Sequence, residues 1–177
     1  MSDYLGFVIP ECFIDTRLTQ FLLDHKVNHQ HSCNNVVKQM RIKYKDNFAV
    51  GIIDKDKHGI VYLNEFNLIG ETRHLQFFAH PNGKHYIITV SKAMDSFIMD
   101  CASEMGCPTE NFGLPKELKG FTIVTKNERV LSDRRITELL NAIQTHGEIV
   151  GLKNALTHLS KHRYLSNPNE IRSIIQQ

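Results

Sequence analysis

Short, continuously apolar runs alternate along this chain with stretches in which apolar residues recur every three or four positions. YLGFVI at 4–9 and FAVGIID at 48–54 are of the first kind, brief and rich in β-branched residues, as in strands buried on both faces. Between them, Ile14, Leu18, Phe21 and Leu22 predict one helix, with Asp15 and Thr16 near its start. Val36, Val37, Met40 and Tyr44 predict a second, for which Asn34 and Asn35 are candidate caps. Strands separated by helices predict an α/β layer built on a mostly parallel central sheet flanked by helices.

LQFFAH at 75–80 and HYIITV at 85–90 flank Pro81, Asn82 and Gly83, which predicts a hairpin or tight turn. Ser91 is a candidate cap for a helix whose apolar face carries Ala93, Met94, Phe97, Ile98, Cys101 and Met105. Residues 107–131 have little periodicity beyond a candidate strand at FTIV and read as a surface excursion. Stripes at Ile136, Leu139, Leu140, Ile143 and at Ile149, Leu152, Leu156, Leu159 then predict an αα-hairpin across Gly147. The expected division is a core over 1–106 and a mainly helical C-terminal extension over 107–177, packed on that core.

The chain has 177 residues, 41% of them hydrophobic and 23% charged, the balance of an ordinary soluble domain that can bury a core. A net charge of +2 neither announces nor excludes a nucleic-acid partner. Cys12, Cys33, Cys101 and Cys107 are too irregularly spaced for a disulfide framework. The start, MSDYLGFVIPEC, lacks the basic opening and long apolar stretch of a signal peptide, and no apolar run approaches a membrane span. The expectation is a cytoplasmic protein with no membrane partner.

The chemistry concentrates in GIIDKDKHGIVYLNEF, residues 51–66. Asp54, Asp56, Gly59 and Glu65 match loop positions 1, 3, 6 and 12 of an EF-hand, so a single calcium loop is one reading. Against it, FAVGII reads as a strand where an entering helix is required, and His58 replaces an oxygen ligand. The other reading joins Glu11, just after the first strand, to Asp54 and Asp56 at the carboxyl edge of a parallel sheet, where ligands bind. Carboxylates that converge repel one another unless a divalent cation lies between them, and oxygen ligands that must also admit phosphate suit Mg²⁺ or Mn²⁺.

A glutamate after the first strand and Asp-x-Asp after a later one is the signature of the TOPRIM family, which this chain resembles over roughly residues 4–100. The departure is Cys12, where the family usually has glycine after the glutamate. YIITVSKAMDSFIM also looks like the strand and helix that follow Asp-x-Asp in small TOPRIM-like nucleases, with Asp95 at the place of an early helical acid. The resemblance implies metal-assisted phosphoryl transfer on DNA or RNA. Asp54 and Asp56 would hold the cation, Glu11 would be a further ligand or the general acid/base, and Asp95 a further candidate ligand. Lys55 and Lys57, with His29 and His31, are candidate substrate contacts.

Other readings remain open at this point. His25, His29, His31 and Cys33 are candidate zinc ligands without a common spacing. A haloacid-dehalogenase phosphatase also uses Asp-x-Asp, but His58 stands where that family usually has threonine or valine. Arg134, Arg135, Lys161, His162 and Arg163 are either a nucleic-acid contact surface or a solvated helix face. The rival to an enzyme is a non-catalytic module that binds nucleic acid or protein, and a second copy of the chain is a further candidate partner.

Overall fold

The computed structural model describes residues 4–55 and 60–176. Its centre is a five-stranded sheet in the order β2 (Val8–Pro10), β4 (Ala49–Asp54), β7 (His85–Val90), β6 (Leu75–Ala79), β5 (Asn67–Glu71). The β2–β4 and β4–β7 pairs are parallel, whereas β7–β6 and β6–β5 are antiparallel. The protein is therefore α/β with a mixed sheet, and the expectation of a mostly parallel one is corrected. The turn at Pro81–Gly83 returns the chain directly, as a hairpin must, and Gly83 there adopts φ 70°. The first apolar run is also divided: β1 (Tyr4–Leu5) pairs with β3 (Lys26–Val27) in a small parallel sheet of its own.

Alternation along the strands explains why those runs are apolar throughout. Val8, Val50, Ile52, Ile88 and Val90 enter one core cluster, while Ile9, Ala49, Ile53 and Ile87 enter a second on the opposite face. The first face is covered by α1 (Phe13–Leu23), α3 (Met94–Glu104), α4 (Leu118–Thr125), α5 (Arg134–Ile143) and α6 (Gly147–His162), whose Leu18, Phe97, Phe121, Leu139 and Leu156 share the cluster. Residues from both sides of position 106 thus fill one core. The other face is covered by α2 (Cys33–Lys38), which runs on as a π-helical turn at Gln39–Lys43, and by Tyr62 and Phe66. Gly51 lets this helix approach: a Cβ there would stand 2.8 Å from Met40 Sδ and 3.0 Å from Val36 Cγ1.

Several local expectations are corrected. Ser32, not Asn34 or Asn35, caps α2, its side chain accepting the Asn35 N–H at 3.2 Å. Ala93, not Ser91, precedes α3. FTIV lies in α4 and buries Phe121, so residues 107–131 are not merely a surface excursion. The segment leading to Asp54 is strand β4 rather than an EF-hand's entering helix, and Glu65 ends a short 3-10 turn (Val61–Glu65) beside His80. The single EF-hand reading is set aside on that ground.

Two ties fix the C-terminal helices. His74 bonds Glu148 of α6 through Nδ1 and stands 3.1 Å from Asp100 of α3 through Nε2, while its backbone N–H donates to Glu148 Oε1 at 2.9 Å. Burial works against ionisation of Glu148, but the bonds from His74 and Thr72 outweigh it and hold the carboxyl below its usual range. The last helix, α7 (Pro168–Ile175), lies on the outer strand β5, where Arg172 Nε donates to Ile69 O at 2.8 Å. Among the described residues no helix is long and apolar enough to cross a membrane.

Candidate functional site

Strands β2 and β4 are parallel neighbours, with Pro10 opposite Ile52, so the residues that follow them emerge on one edge. There the N–H of Asp54 donates to Glu11 Oε2 at 3.2 Å. Asp54 Oδ1 in turn accepts the N–H of Met94 at 3.2 Å, the first residue of α3, whose helix dipole favours an anion at this end. Glu11 is only 1% exposed. Both carboxylates are thus held by backbone donors at element ends rather than by a loop. They line a cavity of about 370 Å³ together with His29, His31, Asp95 and Thr125.

Asp15 was read from the sequence only as part of a helix start. Its Oδ2 accepts the Cys12 N–H at 3.1 Å, closing the first turn of α1. Its Oδ1 is buried without a hydrogen-bond partner. Complete burial, then the charges of Asp54 and Glu11, push this carboxyl well above its ordinary value. Its four-residue offset from Glu11, one turn along the start of a helix, was the available signal. Burial, with Asp15 and Asp54 adding to it, also pushes the Cys12 thiol up, which leaves this cysteine without thiolate character.

The loop after β3 brings the histidines in. Asn28 N–H donates to Val8 O at 2.9 Å and Gln30 N–H to Pro10 O at 3.0 Å, so this segment runs beside β2 towards Glu11. His29 stacks on Phe13, ring centroids 4.4 Å apart, with His31 edge-on at 4.7 Å. Burial, and then His31, push His29 below its ordinary value. The structure brings His29 and His31 to the cavity but not the other candidate zinc ligands: His25 bonds Leu23 O at 2.6 Å, and Cys33 belongs to the core on the opposite face of the sheet.

Asp95 lines the same cavity, with Oδ1 accepting Thr125 Oγ1 at 2.5 Å and Oδ2 accepting Thr122 Oγ1 at 3.2 Å. It thereby fastens α3 to α4. Thr125 and Lys126, at the end of α4, are cavity residues that the reading of 107–131 missed. Lys55 is exposed beyond β4, its N–H on Val90 O at 2.8 Å. Asp56 and Lys57 lie outside the described residues. Arg134 pairs with Glu138, Arg135 with Asp133, and the Arg163 guanidinium lies 4.7 Å from the Phe7 ring, so these cations have intramolecular partners.

Among the described residues, no group of three or more His, Cys, Asp and Glu side chains stands ready to hold a metal ion. The cavity wall nonetheless offers the carboxylate oxygens of Glu11, Asp54 and Asp95, beside the imidazoles of His29 and His31. Such a set suits an ion that takes one or two carboxylates and completes its shell with water and phosphate, as Mg²⁺ does. Comparison with family models, curated proteins and solved structures found no match to this chain.

Proposed function

We propose that this protein is a Mg²⁺- or Mn²⁺-dependent enzyme that cleaves phosphodiester bonds in nucleic acid, a small nuclease of TOPRIM-like type. The observation that carries the reading is the bond between Glu11 and the backbone of Asp54 across two parallel strands, in the wall of a cavity large enough for a nucleotide phosphate. That pairing of a glutamate after one strand with an aspartate at the end of its neighbour is the arrangement the resemblance implies. Glu11 and Asp54 would hold the ion. When bound, it supplies charge neutralisation and polarisation at phosphoryl oxygens. The start of α3, through Met94, keeps Asp54 oriented, and the ring stack of Phe13 and His29 offers a face on which a base can lie.

The test is incubation of the full chain with labelled single- and double-stranded DNA and RNA in Mn²⁺, with calorimetry of Mn²⁺ binding alongside. Cleavage that EDTA abolishes, and that Asp54→Asn lowers by about 100-fold or more, is the expected result. The absence of a ready three-ligand group among the described residues favours one second reading, a non-catalytic nucleic-acid binding module. Binding of an oligonucleotide without cleavage, unaffected by EDTA, would establish that reading instead.

A further inference from the structure

Residues 25–45 hold Lys26, Lys38, Arg41, Lys43 and Lys45 and no aspartate or glutamate. In a chain whose net charge is only +2, this concentrates positive charge on one segment. The segment passes the acidic cavity, where His29 and His31 form part of the wall, and leaves it along α2, which Ser32 caps directly after His31. Val36 and Met40 turn into the core, and on the exposed side lies a groove of about 420 Å³ lined by Asn34, Val37, Lys38, Arg41 and Ile42. Elsewhere Arg73, Lys84, Arg134 and Arg135 pair with carboxylates, but among the described residues no carboxylate lies within ion-pair distance of Lys38 or Arg41. The Arg41 guanidinium lies 5.4 Å from the centre of the Tyr62 ring, and Tyr62 is only 6% exposed. A fixed aromatic face thus holds the planar group by cation–π attraction, which uses none of its N–H donors. The dipole at the end of α2 favours Lys38, but it gives no reason for Ile42, 68% exposed, in the same groove.

We infer that this groove is a binding track for a single strand of nucleic acid that continues out of the acidic cavity. Lys38 and Arg41 take its phosphates, and Val37 and Ile42 meet sugar or base carbon. The inference rests on the reading of that cavity as a phosphodiester site. Glu11, Asp54 and Asp95 repel a polyanion, so a strand drawn to them needs cations close by. A single strand supplies both complements of the groove, a row of anions and uncovered apolar edges. A duplex turns its bases inward, and an anionic bilayer presents its charge to a flat face rather than to a groove.

The experiment is fluorescence anisotropy of the full chain in EDTA with single-stranded oligonucleotides of about 4 and about 16 nucleotides. Lys38→Gln with Arg41→Gln is compared with Lys153→Gln with Lys161→Gln, which removes the same charge from exposed positions on α6. For the longer oligonucleotide the groove variant should bind about 10-fold or more weaker, and its plot of log affinity against log salt should be flatter by about 1.4, two contacts at about 0.7 each. The affinity gained on lengthening should shrink with it, and the α6 variant should stay within about 2-fold of wild type. Equal losses in the two variants overturn the proposal. So does a wild-type salt slope near zero, a result that needs no variant to fold. Tight binding to phosphatidylserine vesicles that the oligonucleotides do not displace also overturns it. Groove-dependent binding with no cleavage in Mn²⁺ supports the track and overturns the nuclease reading alone; cleavage that the groove variant leaves unaltered, with affinity also unaltered, overturns the track alone.

Discussion

The Oε2 atom of Glu11 accepts the backbone N–H of Asp54 at 3.2 Å, across 43 residues of chain and one strand-to-strand step. The carboxylate therefore has a structural duty as well as a candidate chemical one. Glu11→Gln keeps an acceptor oxygen and loses only charge, whereas Glu11→Ala leaves a backbone donor unsatisfied at a buried edge, which costs about 1–3 kcal/mol. In thermal unfolding without metal, Glu11→Ala should melt several degrees below Glu11→Gln, at about 2–4 °C per kcal/mol for a chain of this size. Equal melting temperatures would show that the bond contributes nothing.

Asp15 should make stability fall as pH rises. Its folded value is raised, so the folded chain retains a proton that the unfolded chain releases above about pH 3.9. Its contribution is fully present below that pH, declines above it and is lost as pH passes through the folded value. Asp15→Asn still accepts the Cys12 N–H and has no proton to release. Urea midpoints in EDTA, measured from pH 4 to pH 8, should show the variant gaining on wild type as pH increases. Parallel curves would refute the assignment.

Glu148 has the opposite sign. Its carboxyl is held below its usual range, so it contributes stability above about pH 4.3 that is lost as pH falls through the folded value. Glu148→Gln removes the charge facing His74, whose side chain is only 8% exposed. Weakening the bonds that His74 and Thr72 make to that carboxylate costs about 1–3 kcal/mol. Chemical denaturation at pH 7 should show that loss, and the gap to wild type should narrow towards pH 3; a constant gap would assign the effect to packing alone.

Much of the sheet was legible because burial on both faces writes a plain apolar run, as in β4 and β7. The meeting of Glu11 and Asp54 at one sheet edge was legible for the same reason: each stands at the end of such a run. Other parts were hidden by competing local signals. FTIV is β-branched, but the helical penalty of those residues is only a few tenths of a kcal/mol each, and burial of Phe121 with the Thr125–Asp95 bond decides for α4. The direction of β6 was set by the tight turn, which the sequence did show, whereas β5 (NLIGE) alternates too weakly to register. The start of α7 carried a usable signal in Asn167 followed by Pro168, a cap and a first-turn proline. Asp15 was passed over because an acid in a first helical turn is ordinarily a response to the helix dipole, and only its burial beside two other acids separates it from that case.

The outermost strand, β5, meets α7 rather than another strand. Arg172 occupies the carbonyl of Ile69, and Ile175 fills the space above Gly70 where no Cβ would fit. A bare strand at a sheet margin is a template on which neighbouring chains can add their own, and a helix laid over it acts as a bumper against such growth. The terminal helix therefore guards solubility at the opposite side of the sheet from the acidic cavity. A chain stripped of residues 168–176 is expected to fail by sticking to its copies well before the edge at β2 and β4 comes apart.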